Sequence, residues 1–150
     1  DVEKTYLAIV CGGAPKDRDG EIDLALRKSS RRGLDIMEID AAGQSALSRY
    51  RTLSATPEAA LVELRPETGR MHQLRAHLAA IGRPIAGDGK YGGLFQLGPV
   101  AIPRLMLHAS VLECPHPAGG RRRFEAGLPP DIAEPLPSLG LEPTRGPQSC

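Results

Sequence analysis

At 150 residues, with 41% apolar and 25% charged side chains, the chain holds one domain's worth of sequence, and no run approaches the 18 apolar residues of a membrane-spanning helix. A net charge of +1 is silent about nucleic acid, and 3% aromatics with no Trp leave few rings for stacking. Cys11, Cys114 and Cys150 lack CxxC spacing, which excludes the usual zinc and dithiol motifs.

The first predicted element is a strand over Thr5–Cys11 (TYLAIVC), β-branched and aromatic, closed by Gly12 and Gly13. Ala14–Gly20 reads as loop, and Gly20–Leu26 as a short strand or turn. A basic run follows, Arg27–Arg32 (RKSSRR), with four cations and no acid. Asp35–Asp40 (DIMEID) alternates apolar and acidic residues, the pattern of an exposed edge strand. Gln44–Leu53 and Ala59–Leu64 are further strands, separated by a turn at Thr56–Glu58 and ending in the Arg65–Pro66 corner.

The clearest helix signal comes next. Met71, Leu74, Leu78 and Ile81 form one stripe at helical period, Thr68 stands at the N-cap position, and Gly82 with Pro84 stops the run. A helix over Gly69–Ile81 follows. Gly87, Gly89, Gly92 and Gly93 then mark irregular backbone around Asp88 and Tyr91, with Asp88 expected to bond the loop backbone. Leu94–Pro103 reads as a connection, Leu105–Glu113 as a strand, Pro115–Gly120 as a hairpin turn and Arg121–Ala126 as its return. Beyond Pro129 the chain is rich in proline with little periodicity, so a surface-hugging or disordered tail is expected there. The sum is an α+β protein, mainly antiparallel or mixed sheet with few helices, divided into residues 1–132 and a tail at 133–150.

Several side chains point to chemistry. Arg75 lies about 100° round the helix from Leu74, at the edge of the buried stripe, where a guanidinium needs a partner. His72 shares its face. His72 and His77, five residues apart, fall about 140° apart and cannot readily chelate one ion, so no metal is expected. Gly87–Gly93 lacks the spacing of a phosphate-binding P-loop. Between Arg65 and Lys90 five cations face two acids, and Arg121–Arg123 are three consecutive arginines. With the Arg27–Arg32 run these are three basic zones suited to phosphate. Cys11 and Cys114 sit in apolar strands, as buried thiols would in a reducing compartment, and no signal-peptide pattern is present. A cytoplasmic location is expected.

The stretch Thr68–Gly93 (TGRMHQLRAHLAAIGRPIAGDGKYGG) closely resembles the TGR-x-HQ-[IL]-R-x-H and G-P-I-x-GD-x-x-YG signature of RluA-type RNA pseudouridine synthases. KTYLAIVCG at Lys4–Gly12 is similar to the family's K-x-Y motif, LMLHASVLECPHP at Leu105–Pro117 to its L-H-A strand, and FEAGLPPD at Phe124–Asp131 to its closing strand. The resemblance implies isomerisation of uridine to pseudouridine in structured RNA, ribosomal RNA foremost, with no metal or organic cofactor and no membrane partner. It makes Tyr6 the ring that stacks on the flipped base and Arg75 the cation that holds the catalytic aspartate. Leu74 would be an apolar wall of the base pocket or an ordinary core residue. Lys4, Arg70 and His72 would contact RNA. His108 would be structural or pocket-lining.

One part is missing. The family's nucleophile is an aspartate in an Arg-Leu-Asp motif upstream of K-x-Y, and no such motif occurs here. Asp1 lacks its context, and Asp17, Asp19 and Asp23 come after Tyr6. The expectation is a C-terminal portion of a synthase domain, inactive alone, whose missing N-terminal part supplies the aspartate. A start at Asp1 rather than Met suggests processing or a missing N-terminal part. The alternative is a non-catalytic RNA-binding protein that keeps the scaffold.

Overall fold

A computed structural model describes residues 2–143. Its frame is a six-stranded antiparallel sheet in the order β10-β9-β1-β6-β5-β2. The strands are β1 (Glu3–Cys11), β2 (Asp19–Asp23), β5 (Leu47–Ala55), β6 (Ala59–Pro66), β9 (Leu107–Pro115) and β10 (Arg121–Glu125). A separate hairpin joins β3 (Leu26–Arg31) to β4 (Leu34–Ile39). The expected strands are present, with ends shifted by a few residues. The basic run is itself the strand β3, and the connection after Leu94 holds a minimal hairpin, β7 (Gln96–Leu97) with β8 (Val100–Ala101).

The first strand in sequence is the inner one in space. β1 hydrogen-bonds β6 on one side and β9 on the other, and its centre, Ala8–Val10, has no exposed surface. Unbroken apolar sequence there is what burial on both faces demands. Between Thr5 and Tyr6 the register with β9 slips, leaving Ser110 as the extra residue, and the Ser110 hydroxyl donates to the Thr5 carbonyl at 3.1 Å. Such a bulge twists the strand and re-aims its side chains.

The main helix, α1, runs only over Gln73–Ala80, shorter than its periodicity suggests. Thr68 is not its cap. Its hydroxyl instead accepts the Leu47 amide at 3.0 Å and donates to Gln73 Oε1 at 2.7 Å, so it ties the strand β5 to the helix start. Met71 falls outside the helix and is exposed, whereas Leu74 and Leu78 pack into the core with β1 and β6. On its other side α1 presents Ala76 to Leu26, Met37 and Ala46 of a smaller cluster beneath the β3–β4 hairpin. The helix is therefore covered from two directions. This explains why His77, polar by type, is fully buried.

The expected tail is a second correction. Pro130–Ala133 (α2) and Pro135–Leu139 (α3) are short helices whose first-turn prolines suit their starts. Ile132, Leu136, Leu139 and Leu141 are buried in the main core, so residues 133–143 belong to the same packed unit as the sheet. The remainder of the proposed tail, 144–150 with Cys150, lies outside the described residues, as does Asp1. Cys11 is a buried thiol whose pKa burial raises, while Cys114 is half-buried.

Candidate functional site

Where α1 meets the central strands the surface opens into a cleft of about 580 Å³. Lys4, Tyr6, Arg70, His72, Leu74 and Arg75, the six site residues expected from sequence, all line it. Lys4 and Tyr6 come from one face of β1 two residues apart, and Leu74 and Arg75 from the first turn of α1. Arg70 and His72 come from the segment that leads into the helix. Leu105 and Leu107 add apolar wall. His108 lies outside this lining, its Nε2 3.1 Å from the Ala126 carbonyl oxygen, which favours the structural reading. Leu74 is 7% exposed and packs in the core while touching the cleft, so it fills both of its expected places.

Arg75 has the partner that its position demanded, and that partner is Asp88. Its Nε donates to Asp88 Oδ2 at 3.0 Å and its Nη2 to Oδ1 at 2.8 Å, a bidentate pair. The Asp88 side chain has no exposed surface and that of Arg75 is 21% exposed. The carboxylate hydrogen-bonds first, and its charge second, to hold the guanidinium pKa above its ordinary value against the cost of burial. Asp88 was expected to bond loop backbone; its carboxylate bonds Arg75 instead, while its own carbonyl accepts the Gly93 amide at 2.7 Å. The sequence held a signal for this pair. Asp88 is the only carboxylate between Glu67 and Glu113, so a half-buried Arg75 had few other choices.

Tyr91 is the other residue that sequence reasoning left in a turn. Its ring centroid lies 5.1 Å from the Arg75 guanidinium carbon, and its hydroxyl sits 3.0 Å from both the Met37 amide and His72 Nδ1. The Gly87–Gly93 turn that carries Asp88 and Tyr91 requires glycine at its ends. Gly87 has φ of +80°, and a Cβ at Gly93 would overlap the Ile85 carbonyl.

Under the cleft wall a chain of buried hydrogen bonds runs one way. Thr68 Oγ1 and the Arg70 amide donate to Gln73 Oε1, Gln73 Nε2 donates to Ser48 Oγ at 2.9 Å, and Ser48 Oγ donates to His77 Nδ1 at 2.8 Å. His77 Nε2 then donates to the Leu24 carbonyl at 2.8 Å, which only accepts, so the ring is a neutral Nε2–H tautomer. Burial accordingly lowers the His77 pKa.

Charge is distributed unevenly. Arg27, Lys28 and Arg31 of the β3–β4 hairpin are each paired with acids of the same hairpin: Arg27 to Asp40 at 2.8 Å, Lys28 to Asp35 at 3.3 Å and Arg31 to Glu38 at 2.9 Å. Arg121 reaches Glu3, and Arg123 reaches Glu113 and Glu125. Two of the three basic zones are thus largely neutralised. At the cleft, Lys4 and Arg70 have no carboxylate within ion-pairing distance among the described residues; Arg70 Nε donates only to the Ser45 carbonyl at 2.9 Å. Lys4 and Arg70 thus place unpaired positive charge beside Tyr6, while on the hairpin Arg32 at its turn is the cation without an ion pair among the described residues.

Residues 1–80 match the model of a family described as RNA pseudouridylate synthase. The chain is 38% identical over 142 residues to ribosomal large subunit pseudouridine synthase D of Pseudomonas aeruginosa, a match covering 87% of this chain and 43% of that protein. It is 40% identical over 131 residues to tRNA pseudouridine synthase C of Haemophilus ducreyi, covering 77% of this chain and 53% of that one. The chain thus spans about half the length of these relatives. In structure it is similar to human RNA pseudouridylate synthase domain containing 4, with a TM-score of 0.77, 28% identity, and coverage of 96% of this chain and 64% of that one.

Proposed function

The chain belongs to the RNA pseudouridylate synthase family, and on that premise we propose that the protein isomerises uridine to pseudouridine in structured RNA, with ribosomal RNA the first substrate to test. The observation that carries the reading is convergence: residues from β1, from the approach to α1 and from α1 itself meet in one cleft that offers a ring, an apolar wall and unpaired cations.

In this reading Lys4 and Arg70 hold phosphate while Tyr6 stacks on a base taken out of its helix. Arg75 holds the nucleophilic carboxylate. Its Nε–Nη2 edge is already committed to Asp88, which leaves Nη1 and the second Nη2 hydrogen for another carboxylate. Asp88 is a poor nucleophile itself, because it is enclosed and both its oxygens accept from Arg75. In this reading the attacking aspartate is the one that the family resemblance implies upstream of Lys4–Tyr6, in an N-terminal part of the same domain. The reaction is an isomerisation, so it consumes no oxidant, reductant or leaving group.

Two measurements test this. The 150-residue chain alone is expected to release no tritium from 5-tritiated uridine in RNA, and release at an enzymatic rate would refute the missing nucleophile. In the protein as its cell makes it, Arg75→Ala is expected to abolish turnover while leaving RNA affinity within a few-fold; turnover like the unmutated protein would sink the role of Arg75. RNA affinity without turnover in that natural product would instead favour the binding-only scaffold.

A further inference from the structure

His72 stands out in its backbone. It has φ of +51° and ψ of 24°, left-handed, directly before α1 and without a glycine's freedom. A non-glycine residue held there stores on the order of 1 kcal/mol or more, and such residues gather where a side chain must be aimed. The ring it aims is fixed from one side only. Nδ1 lies 3.0 Å from the Tyr91 hydroxyl, the rings meet edge to face at 5.8 Å, and Nε2 has no partner among the described residues.

The protonation pattern follows from Tyr91. Its oxygen accepts the Met37 amide, whose hydrogen can go nowhere else in this contact. His72 Nδ1 is then the one acceptor among the described residues for the phenolic hydrogen, so an unprotonated Nδ1 is the arrangement that satisfies both donors. An imidazolium would put a second donor on that oxygen and leave the phenolic hydrogen without an acceptor among the described residues.

We propose that Tyr91 holds His72 as a neutral imidazole with Nε2–H free at the cleft, and that this N–H donates to an acceptor oxygen of bound RNA. The assignment rests on the RNA reading above for its ligand but not for its tautomer. It specifies the RNA contact expected of His72 as a neutral, directional donor. Burial first, then the charges of Arg75 and Lys90, keep the ring neutral by lowering its pKa, against smaller opposing contributions from Asp88 and Asp35. Tyr91 touches Arg75, His72 and the β3–β4 hairpin at once, so it is a positioning residue for both cleft side chains.

The test uses the full-length protein. At pH 7 the imidazole ¹⁵N spectrum of His72 is expected to show one unprotonated nitrogen, Nδ1, and one protonated, Nε2. Two protonated nitrogens, or a proton on Nδ1, would overturn the proposal whether or not the protein binds RNA. In RNA titrations, His72→Gln keeps a neutral donor and is expected to bind within about two-fold with an unchanged salt dependence. His72→Ala is expected to lose about five-fold, the worth of one neutral hydrogen bond. A salt slope lowered by about one in His72→Gln would show a cation instead. Tyr91→Phe keeps the ring on Arg75, and is expected to mix the tautomers and weaken binding several-fold alone but not in the His72→Ala background; additive losses would refute the coupling. Methylphosphonate linkages in the RNA identify the acceptor. They remove the His72→Ala effect if it is a phosphate and spare it if it is a base or ribose oxygen. Absence of RNA binding by the unmutated protein would remove the acceptor and the substrate reading together, while the spectrum would still decide the tautomer.

Discussion

Arg75 and Asp88 divide their work unequally, because one faces the cleft and the other is enclosed. Asp88→Ala would leave a half-buried guanidinium without its counter-charge, so a stability loss of about 1–3 kcal/mol is expected by chemical denaturation. Turnover should fall with it, and Asp88→Asn should restore more of the stability than of the turnover. Equal recovery of both would show that Asp88 does not aim Arg75. His77, more deeply buried than His72, contributes to the pH response with it. Burial holds its pKa below the ordinary value near 6.5, to which it returns on unfolding. Between the two values the unfolded chain binds more protons, so stability present above about pH 6.5 is lost as pH falls below it, down to the folded value. Protonation would also put a hydrogen on Nδ1, where Ser48 now donates. The expected result is a melting temperature that declines below pH 6.5, with His77→Gln flattening the decline while lowering the value at pH 7. An unchanged slope in the variant would assign the pH response elsewhere. The position of Arg75 at the stripe's edge was legible in the sequence, and so was its need for a partner. That His77 is enclosed was not legible, because nothing in a single helix's periodicity reveals a hairpin covering its other face.

At the scale of elements, residue type announced strands more reliably than ends. TYLAIVC and AALVEL read as strands because their apolar runs cross the core, buried over Ala8–Cys11 and Ala59–Val62. The helix was drawn too long for a tertiary reason. Thr68 is spent on β5 rather than on a cap, and the left-handed turn at His72 delays the first helical residue to Gln73. The RKSSRR run looked like an RNA face because its counter-charges lie across a hairpin, at Asp35, Glu38 and Asp40, where linear reading does not pair them. The proline-rich end misled for the opposite cause. Proline counts against helix interiors but favours first turns, and both short helices begin with it. The Gly87–Gly93 turn should be the least tolerant element. Gly93→Ala is expected to cost more than 1 kcal/mol in denaturant unfolding, since its Cβ must displace the Ile85 carbonyl. Gly119→Ala, in an open hairpin turn at φ of +99°, should cost less, and the reverse order would contradict the packing.

For the whole molecule, the α+β class and the antiparallel sheet were legible, whereas the order of strands was not. Alternation says that a strand exists and which face is apolar, but not which strand it joins. Nor did it show that residues 133–143 complete the core. Truncation after Leu128 would remove Ile132, Leu136, Leu139 and Leu141, each worth about 1.5–3 kcal/mol when fully buried, and uncover the core they pack against. The truncated chain is expected to lose its cooperative thermal transition, and a sharp melt near the original temperature would show that the segment is dispensable. The central place of β1 has a further consequence, in time rather than space. Its residues leave the ribosome before both of its partners, since one neighbour, β6, begins at Ala59 and the other, β9, at Leu107. Both pairings close long loops, so contact order is high and folding belongs in the slow, millisecond-to-second range. Until β9 emerges, β1 has one side unpaired over Glu3–Ala8, the kind of segment that nascent-chain chaperones hold.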